Sequence, residues 1–273
     1  MPRSERPHLC IDRVVPMHNK ISAMTHAARE NRLNLPRAVP AKRPGSYRHI
    51  ARIAAEAGKV WGKGRTLGVA FLDGSSIQRK RVVEHAGSWC NYANVAFNFK
   101  ANAKAEIRIS FGADGDSWSG IGTDCLVTEY FPKDGPTMNF GWLRDDTDDT
   151  EYRRVVVHEF GHALGCIHEH SNPKGGIIWN EKLVYEYFSG PPNNWSREDI
   201  LYNVIQKYAM NQINGTTFDA KSIMLYAFPK ELVKAPASYR AIAARVNTQL
   251  STRDKKFAAK LYPGKPQKLK KSA

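Results

Sequence analysis

Three histidines and a glutamate stand in one short stretch of the chain, and their spacing suits the binding of a metal ion. His158 and His162 are four residues apart, so on a helix both imidazoles lie on one face, one turn apart. Glu159 directly follows the first histidine, where its carboxylate can take a proton from a water beside the ion. Gly165 can adopt the left-handed conformation that ends a helix, and this turn brings His168 back as a third ligand. Three nitrogen ligands with one open position are typical of a catalytic zinc site.

The pattern H-E-x-x-H-x-x-G-x-x-H over residues 158–168 resembles the zinc-binding signature of the metzincin metalloendopeptidases. The alternative is a buried helix whose histidines are satisfied by core partners, but three histidines and a glutamate make a poor apolar face. The resemblance implies zinc as the cofactor, held by His158, His162 and His168. It also implies that Glu159 is the general base.

A second motif, K-S-I-M-L-Y over residues 221–226, resembles the Met-turn that follows the zinc helix in this clan. Met224 would place a soft, adaptable side chain beneath the histidines. Tyr226 matches the tyrosine that astacins and serralysins carry at this place, which implies a switchable metal ligand that can also stabilise the oxyanion. Taken without the upstream motif, residues 223–225 would equally suit a core strand.

The resemblance is to the astacin branch of the clan, with two departures. Glu169, directly after the third histidine, is astacin-like. Cys166 stands where an aromatic residue or leucine is usual, and the arginine-rich stretch expected after Glu169 reads H-S-N-P over residues 170–173. The chain therefore resembles the astacins without being a standard one.

Apolar periodicity places these motifs in an alternating series of strands and helices. Strands are predicted over 66–72, 94–99, 105–111 and 137–142, with an irregular strand in the glycine- and serine-rich stretch 112–122 and a helix over 78–92. A capped helix from Ser196 and a last helix from Ser251 to about Leu261 follow the zinc helix. The order resembles the metzincins and implies an α+β fold. Such a fold has a twisted, mixed five-stranded sheet, two long helices, an active-site cleft below the edge strand and a mainly helical or irregular C-terminal subdomain.

An acidic run over residues 145–151 precedes the zinc helix. Asp148 with Glu151 three residues later predicts a capping box, and negative charge suits the N-terminus of a helix. The run could instead bind calcium, but its spacing does not match an EF-hand loop. We therefore favour the cap.

Charge and proline content divide the chain into three parts. Residues 1–60 are basic and contain a proline-rich, linker-like stretch over 36–44 and a predicted helix over 46–57. We expect this part to be an extension that serves as a pro-segment, an adaptor or a cap. Residues 61–263 form the zinc metallopeptidase domain, and 264–273 a basic tail. The tail could contact an anionic surface weakly, although solvated ends of this kind are common.

The four cysteines are Cys10, Cys90, Cys125 and Cys166, and no C-x-x-C pair occurs. Four cysteines allow three full pairings, which spacing does not distinguish. Free, buried thiols are the default at this density. Cys10 could alternatively cap the zinc as a latency thiol, as in matrixin pro-segments, although its flanking residues differ from that motif.

Composition narrows the class of protein and its location. A chain of 273 residues with 42% hydrophobic residues is normal for a globular protein. No stretch approaches the roughly 18 apolar residues of a membrane span. The first residues lack the apolar core of a signal peptide. Sequence therefore favours a cytoplasmic location, whereas the resemblance favours an extracellular one.

The expected function is that of a zinc-dependent endopeptidase acting on extended polypeptides, which would pair with the edge strand of the sheet. One alternative is a catalytically silent, zinc-containing module that binds peptides, which the intact Glu159 disfavours. Another is a nucleic-acid binder, since the net charge is +15. The basic residues concentrate at the two ends of the chain, and no aromatic-basic patch accompanies them, so nucleic acid is not expected as the main partner. We expect a monomer.

Overall fold

The computed structural model describes residues 9–35, 58–102, 104–112, 115–191, 193–207 and 217–267. The proline-rich stretch over 36–44, the helix predicted over 46–57 and the end of the basic tail lie outside these residues. Within them, no helix combines the length and the apolar character needed to cross a membrane.

From Thr66 to Ala163 the described residues form strands and helices in the order that the sequence predicts. The helices are α1 (Lys20–Glu30), α2 (Ser76–Ala86), α3 (Asp149–Ala163), α4 (Glu181–Phe188), α5 (Arg197–Ile200), α6 (Ala237–Arg240) and α7 (Thr252–Leu261). The strands are β1 (Thr66–Phe71), β2 (Ala96–Asn98), β3 (Ile107–Ser110), β4 (Ser117–Ser119), β5 (Met138–Phe140), β6 (Ile178–Trp179) and β7 (Val233–Ala235). Short 3-10 helices lie at Met17–Asn19, Arg32–Asn34, Trp89–Asn91, Gly122–Leu126, Glu169–Ser171, Pro173–Gly175 and Lys230–Leu232, and a π-helical turn at Leu201–Ile205.

Five of the strands form one mixed sheet in the order β2-β1-β3-β5-β4. β1 is parallel to β2 and β3, and β3 is parallel to β5. β4 runs antiparallel to β5, with Ser117 opposite Phe140 and Ser119 opposite Met138, and it forms one edge of the sheet. The α+β prediction with a mixed five-stranded sheet is therefore confirmed, and the irregular strand expected within 112–122 is β4.

The described residues form three hydrophobic clusters, of which two are large. The first joins the sheet to α2 and α3, and its large buried side chains include Trp89, Tyr152 and Phe160. The indole N–H of Trp89 donates to the carbonyl of Val157 at 2.8 Å, which ties the 3-10 helix after α2 to the zinc helix α3. The second cluster fills the C-terminal subdomain around residues such as Phe188. The zinc helix is thereby held rigidly by buried aromatic packing.

The helix caps agree with the sequence, including the one at the zinc helix. Asp148 is the N-cap of α3 and its side chain accepts from the Thr150 N–H. The predicted N-terminal cap is therefore confirmed, while the Glu151 carboxylate binds the guanidinium of Arg154 at 2.6 and 2.7 Å and the indole N–H of Trp142 at 3.0 Å. A charged, bidentate partner competes successfully for a carboxylate against one backbone N–H.

The capped helix predicted from Ser196 is present but short. Ser196 and Asp199 do form a capping box, but the α-helix ends at Ile200 and a π-helical turn follows. The side-chain amide of Asn203 donates to the Asp199 carbonyl at 2.9 Å. In a regular α-helix that carbonyl accepts from the main-chain N–H four residues later. Local side-chain bonds of this kind compete with regular helix.

Candidate metal centre

The end of helix α3 explains how three histidines in one stretch can meet. His158 and His162 lie one turn apart on the buried face of the helix, which ends at Ala163. Gly165 then adopts φ +91°, a left-handed conformation in which a side chain would be strained. The chain reverses there, and the His168 ring returns to the other two.

The three imidazoles converge on one point through their Nε2 atoms. The Nε2 of His158 lies 3.2 Å from that of His168, and the Nε2 of His162 lies 3.1 Å from each of the other two. All three residues are buried, and burial lowers the pKa of His158 well below its usual range and that of His162 to about 4. Both rings are therefore neutral at physiological pH, as metal ligands must be.

The donor set fits a zinc ion. His158 Nδ1 lies 2.8 Å from the Ile223 carbonyl and His162 Nδ1 lies 2.9 Å from the Cys166 carbonyl, so each Nδ1 carries the proton and donates. Each Nε2 then presents a lone pair, and facing lone pairs repel one another unless a cation lies between them. Nitrogens 3.1–3.2 Å apart can each reach one ion at the zinc–nitrogen distance of about 2.0–2.1 Å. These three residues form the one group of three histidines among the described residues that could hold a metal.

Glu159 lies beside this triad, with the Cys10 thiol near its carboxylate. It is fully buried, and neither carboxylate oxygen has a hydrogen-bond partner among the described residues. Burial raises the pKa of Glu159 to about 8, and the nearby charge of Asp12 adds to the rise. Such a carboxylate accepts a proton more readily than an exposed glutamate, which suits a group that takes and returns a proton.

The Met-turn motif forms a turn beneath the histidines, and the alternative of a core strand over 223–225 is not what the chain adopts. Met224 is buried against the zinc helix at Gly161, where an added Cβ would come within 2.5 Å of the Met224 sulfur and 3.0 Å of the Trp89 ring. Gly161 is therefore needed for the close approach of helix and turn. The Met224 carbonyl accepts from the Glu169 N–H at 2.9 Å, so the turn also holds the chain after the third histidine.

A buried carboxylate on the last helix holds the Met-turn in place. Asp254 accepts from the Ser222 hydroxyl at 2.7 Å and from the Ile223 N–H at 2.9 Å, and it also caps α7 by accepting from the Ser251 N–H at 2.9 Å. Since the Ile223 carbonyl orients His158, Asp254 acts on the triad through one intervening residue. The place of Asp254 three residues after Ser251 predicts a cap but gives no sign of the contact with the Met-turn.

Tyr226 lies against the triad, as its spacing from Met224 predicts. Its ring centroid is 4.2 Å from that of His168 and 5.6 Å from that of His158. Its hydroxyl donates to the carbonyl of Cys10. His170 packs on the far side of His168 with ring centroids 5.1 Å apart, and its Nε2 donates to the Asn203 carbonyl at 2.7 Å. His170 is therefore a packing partner of the triad and is not placed to bind the same ion.

Glu169 turns away from the triad towards the C-terminal subdomain. One of its carboxylate oxygens accepts from the Asn172 side-chain amide at 3.1 Å and from the Asp219 N–H at 2.9 Å. Burial raises the pKa of Glu169 to about 7. It borders a cleft of about 780 Å³ that also passes His168.

The N-terminal segment, defined as residues 9–35, crosses the face of the site. The Ile11 N–H donates to the Ser117 carbonyl at 3.0 Å, and Arg13 forms a parallel bridge with Gly120, so this stretch pairs with the edge of the sheet at β4. The Arg13 guanidinium lies 4.5 Å from the centroid of the Trp118 ring. Further along, α1 packs against the 3-10 helix Gly122–Leu126.

Two side chains of the N-terminal segment reach the metal centre. The Cys10 thiol forms a group with His158 and Glu159 in which potential ligand atoms lie within 4.8 Å of one another. Burial raises the pKa of this thiol, and Glu159 raises it further. Asp12 is buried beside the triad; burial opposes its ionisation, but His168 and His162 outweigh burial and hold its pKa below the usual range. The sequence offers a latency thiol at Cys10 only as an alternative to a free, buried one. It gives no sign of a role for Asp12, because nothing in the neighbouring residues signals one.

All four cysteines are free and buried. Burial raises the pKa of Cys90 to about 12 and raises those of Cys125 and Cys166 as well. These thiols are therefore neutral, and the expectation of free, buried thiols agrees with the structure.

Comparison with known proteins agrees with this geometry. The family model for the matrixins (Peptidase_M10) matches residues 72–186. A solved structure of myroilysin is 38% identical, with a TM-score of 0.69 over 76% of this chain and 97% of that one. This chain belongs to the metzincin zinc metalloproteases. A second, crystal structure of myroilysin is 33% identical, with a TM-score of 0.57, and the match covers 94% of this metzincin and 100% of that chain.

More distant relatives share parts of this metzincin. A hatching enzyme of the sea urchin Paracentrotus lividus is 28% identical over 138 residues, and matrix metalloproteinase-2 of Drosophila melanogaster is 29% identical over 110 residues. The chain spans 22% and 14% of the length of these two curated relatives. The structure of high choriolytic enzyme 1, a hatching enzyme zinc-protease from the medaka Oryzias latipes, is 18% identical with a TM-score of 0.51, and it shows the shared fold.

Proposed function

We propose that this protein is a zinc endopeptidase that hydrolyses peptide bonds within extended polypeptide chains. The observation that carries the proposal is the meeting of three imidazoles, with Nε2 atoms 3.1–3.2 Å apart, beside a buried glutamate whose carboxylate oxygens have no hydrogen-bond partner among the described residues. His158, His162 and His168 would hold the zinc ion. A silent, zinc-containing peptide-binding module would have no use for an unpaired, buried carboxylate, which is costly to maintain.

Each catalytic role follows from where the side chain lies. Zinc, when bound, polarises the scissile carbonyl and lowers the pKa of a water. Glu159 would take the proton of the attacking water and return it to the departing amine, which its raised pKa allows. Tyr226, whose ring packs on His168, would donate its hydroxyl hydrogen to the carbonyl oxygen as negative charge develops there. Peptide hydrolysis would then follow from proton transfer and charge stabilisation at fixed positions.

The substrate class follows from the edge strand. β4 leaves main-chain groups unpaired by the sheet, and the Ser117 carbonyl already accepts from a main-chain N–H of the N-terminal segment. A substrate chain can use the same groups only if it is extended, because strand pairing requires an extended backbone. Unfolded chains and flexible loops are therefore the expected substrates, in preference to folded surfaces.

We further propose that the protein is latent in this conformation. The N-terminal segment pairs with β4, occupies the Tyr226 hydroxyl and brings the Cys10 thiol to Glu159. Each of these contacts uses a group that catalysis needs. Residues 1–60 would then be a pro-segment, and activity would require that the segment leave the cleft.

One experiment tests both proposals. A specific protease site is introduced within residues 36–57 of the full chain, and cleavage of a dye-labelled, denatured protein is followed before and after that site is cut. We expect little activity before cutting, a large increase afterwards, and loss of that activity with a zinc chelator or with Glu159→Gln. Clear cleavage at the same rate before and after the cut would refute latency and leave the endopeptidase function standing. Binding of denatured protein without cleavage in the cut, zinc-loaded chain would favour the silent module.

A further inference from the structure

The Nδ1 atoms of the three histidines, which face away from the metal site, contact different parts of the chain. His158 donates from Nδ1 to the Ile223 carbonyl, and His162 donates to the Cys166 carbonyl. Both acceptors are main-chain carbonyls that lie outside the N-terminal segment. His168 Nδ1 faces instead a carboxylate of the N-terminal segment, Oδ2 of Asp12, at 3.1 Å.

The main chain on both sides fixes the position of Asp12. Its own N–H donates to the side-chain oxygen of Asn203 at 2.6 Å. The preceding N–H, that of Ile11, binds the Ser117 carbonyl at 3.0 Å, and the Cys10 carbonyl accepts from Tyr226. The Asp12 side chain is only 4% exposed. Its carboxylate is therefore held against the triad by main-chain contacts on both sides, none of which uses the imidazole ligands.

The contact with His168 acts mainly through charge. The distance is that of a hydrogen bond, but the Nδ1–H is not aligned on the oxygen, and Asp12 Oδ1 has no hydrogen-bond partner among the described residues. That second oxygen lies 3.7 Å from His162 Nε2, on the side of the ring that faces the metal site. A buried carboxylate at this place raises the basicity of the ligand ring and attracts a cation.

We propose that Asp12 is a positioning residue of the metal centre: it serves as the outer partner of the third ligand, His168, so that the N-terminal segment strengthens zinc binding. The inference rests on the zinc site proposed above. Loss of an outer partner of a metal ligand lowers metal affinity by about 10–100-fold. A consequence is that the chain holds zinc less tightly once the segment leaves. Among the described residues, those after the N-terminal segment provide hydrogen-bond partners for the Nδ1 atoms of His158 and His162 but not for that of His168.

The test compares zinc dissociation constants of full-length chains, measured at equilibrium by competition with a chromophoric chelator. Asp12→Asn is the main variant, because it keeps the shape of the side chain and its main-chain contact with Asn203 but removes the charge. Asp12→Ala removes the side chain. Arg13→Ala is the matched control, since it removes the contact of the same segment with the Trp118 ring and leaves the Asp12 carboxylate in place.

We expect the affinity for zinc to fall by about 10–100-fold in Asp12→Asn and Asp12→Ala and by less than about twofold in Arg13→Ala. The imidazole Nδ1–H resonance of His168 in the zinc-loaded chain should shift in both Asp12 variants and stay in place in Arg13→Ala. Affinity within twofold of the wild-type value in Asp12→Asn would overturn the inference. So would an equal loss in Arg13→Ala, because the segment as a whole, and not the carboxylate, would then be responsible. If the wild-type chain binds no zinc, the proposed function fails as well.

Discussion

Asp254 offers a sharp test of how the metal centre is supported, because one carboxylate joins the last helix to the Met-turn. Substitution by alanine removes the acceptor of the buried Ile223 N–H, and also those of the Ser222 hydroxyl and the Ser251 N–H. An orphaned buried N–H costs about 1–3 kcal/mol, and loss of a helix cap about 1 kcal/mol. The Ser222 hydroxyl can rotate to another acceptor, so we expect the free energy of unfolding to fall by about 2–4 kcal/mol in Asp254→Ala.

The isosteric variant Asp254→Asn separates geometry from charge. An asparagine oxygen can still accept from the two N–H groups, and its amide can donate to the Ser222 oxygen. Burial raises the pKa of Asp254, so the folded chain gains little from the charge itself. We therefore expect Asp254→Asn to lose less than about 1 kcal/mol. Asp146→Ala, an exposed acidic residue before the zinc helix, should change stability by less than about 0.5 kcal/mol.

The assay is thermal and urea unfolding of the metal-free chain, with zinc affinity measured in parallel. A loss of 2–4 kcal/mol corresponds to a fall in Tm of about 5–15 °C for a chain of this size. Zinc affinity should fall by about tenfold in Asp254→Ala, because the Ile223 carbonyl that orients His158 loses its anchor. If Asp254→Asn were as damaging as Asp254→Ala, charge and not acceptor geometry would support the turn. If Asp254→Ala unfolded within 1 kcal/mol of the wild-type chain, the buried contacts would have no structural weight.

Three further predictions concern the catalytic groups. Glu159→Gln should keep the fold and zinc but lose nearly all turnover, and near wild-type cleavage by the purified variant would exclude a general-base role. His168→Ala should lower zinc content, measured by atomic absorption after dialysis, because two imidazoles hold an ion poorly; unchanged stoichiometry and affinity would mean that the third ligand lies elsewhere. Tyr226→Phe, tested after the N-terminal segment has been released, should lower kcat by about 10- to 1,000-fold with little change in KM, since an oxyanion donor acts in the transition state. An unaltered kcat in the zinc-loaded variant would contradict that role.

The sequence by itself determined the residues of the centre whose positions depend on local geometry. Helical spacing places His158, Glu159 and His162 on one buried face, and Gly165 supplies the reversal that returns His168. These relations span one helix and one turn, so the chain needs no distant contact to specify them. Apolar periodicity likewise predicts the strands and helices of the mixed sheet, because each element must bury its own apolar face.

Only the tertiary structure decided which groups contact the ligands, or the turn that orients them, on the side away from the metal site. Asp12 meets His168 across 156 positions of the chain, and Asp254 meets Ile223 across 31. Neither pair has a local sequence pattern, because the contacts arise from how the N-terminal segment and the last helix pack on the body. The same reason explains why the sequence does not give the partners of Glu151, whose carboxylate binds Arg154 and Trp142 in the folded chain. Spacing within one element fixes which side chains share a face, whereas the partners of a buried charge depend on every element that surrounds it.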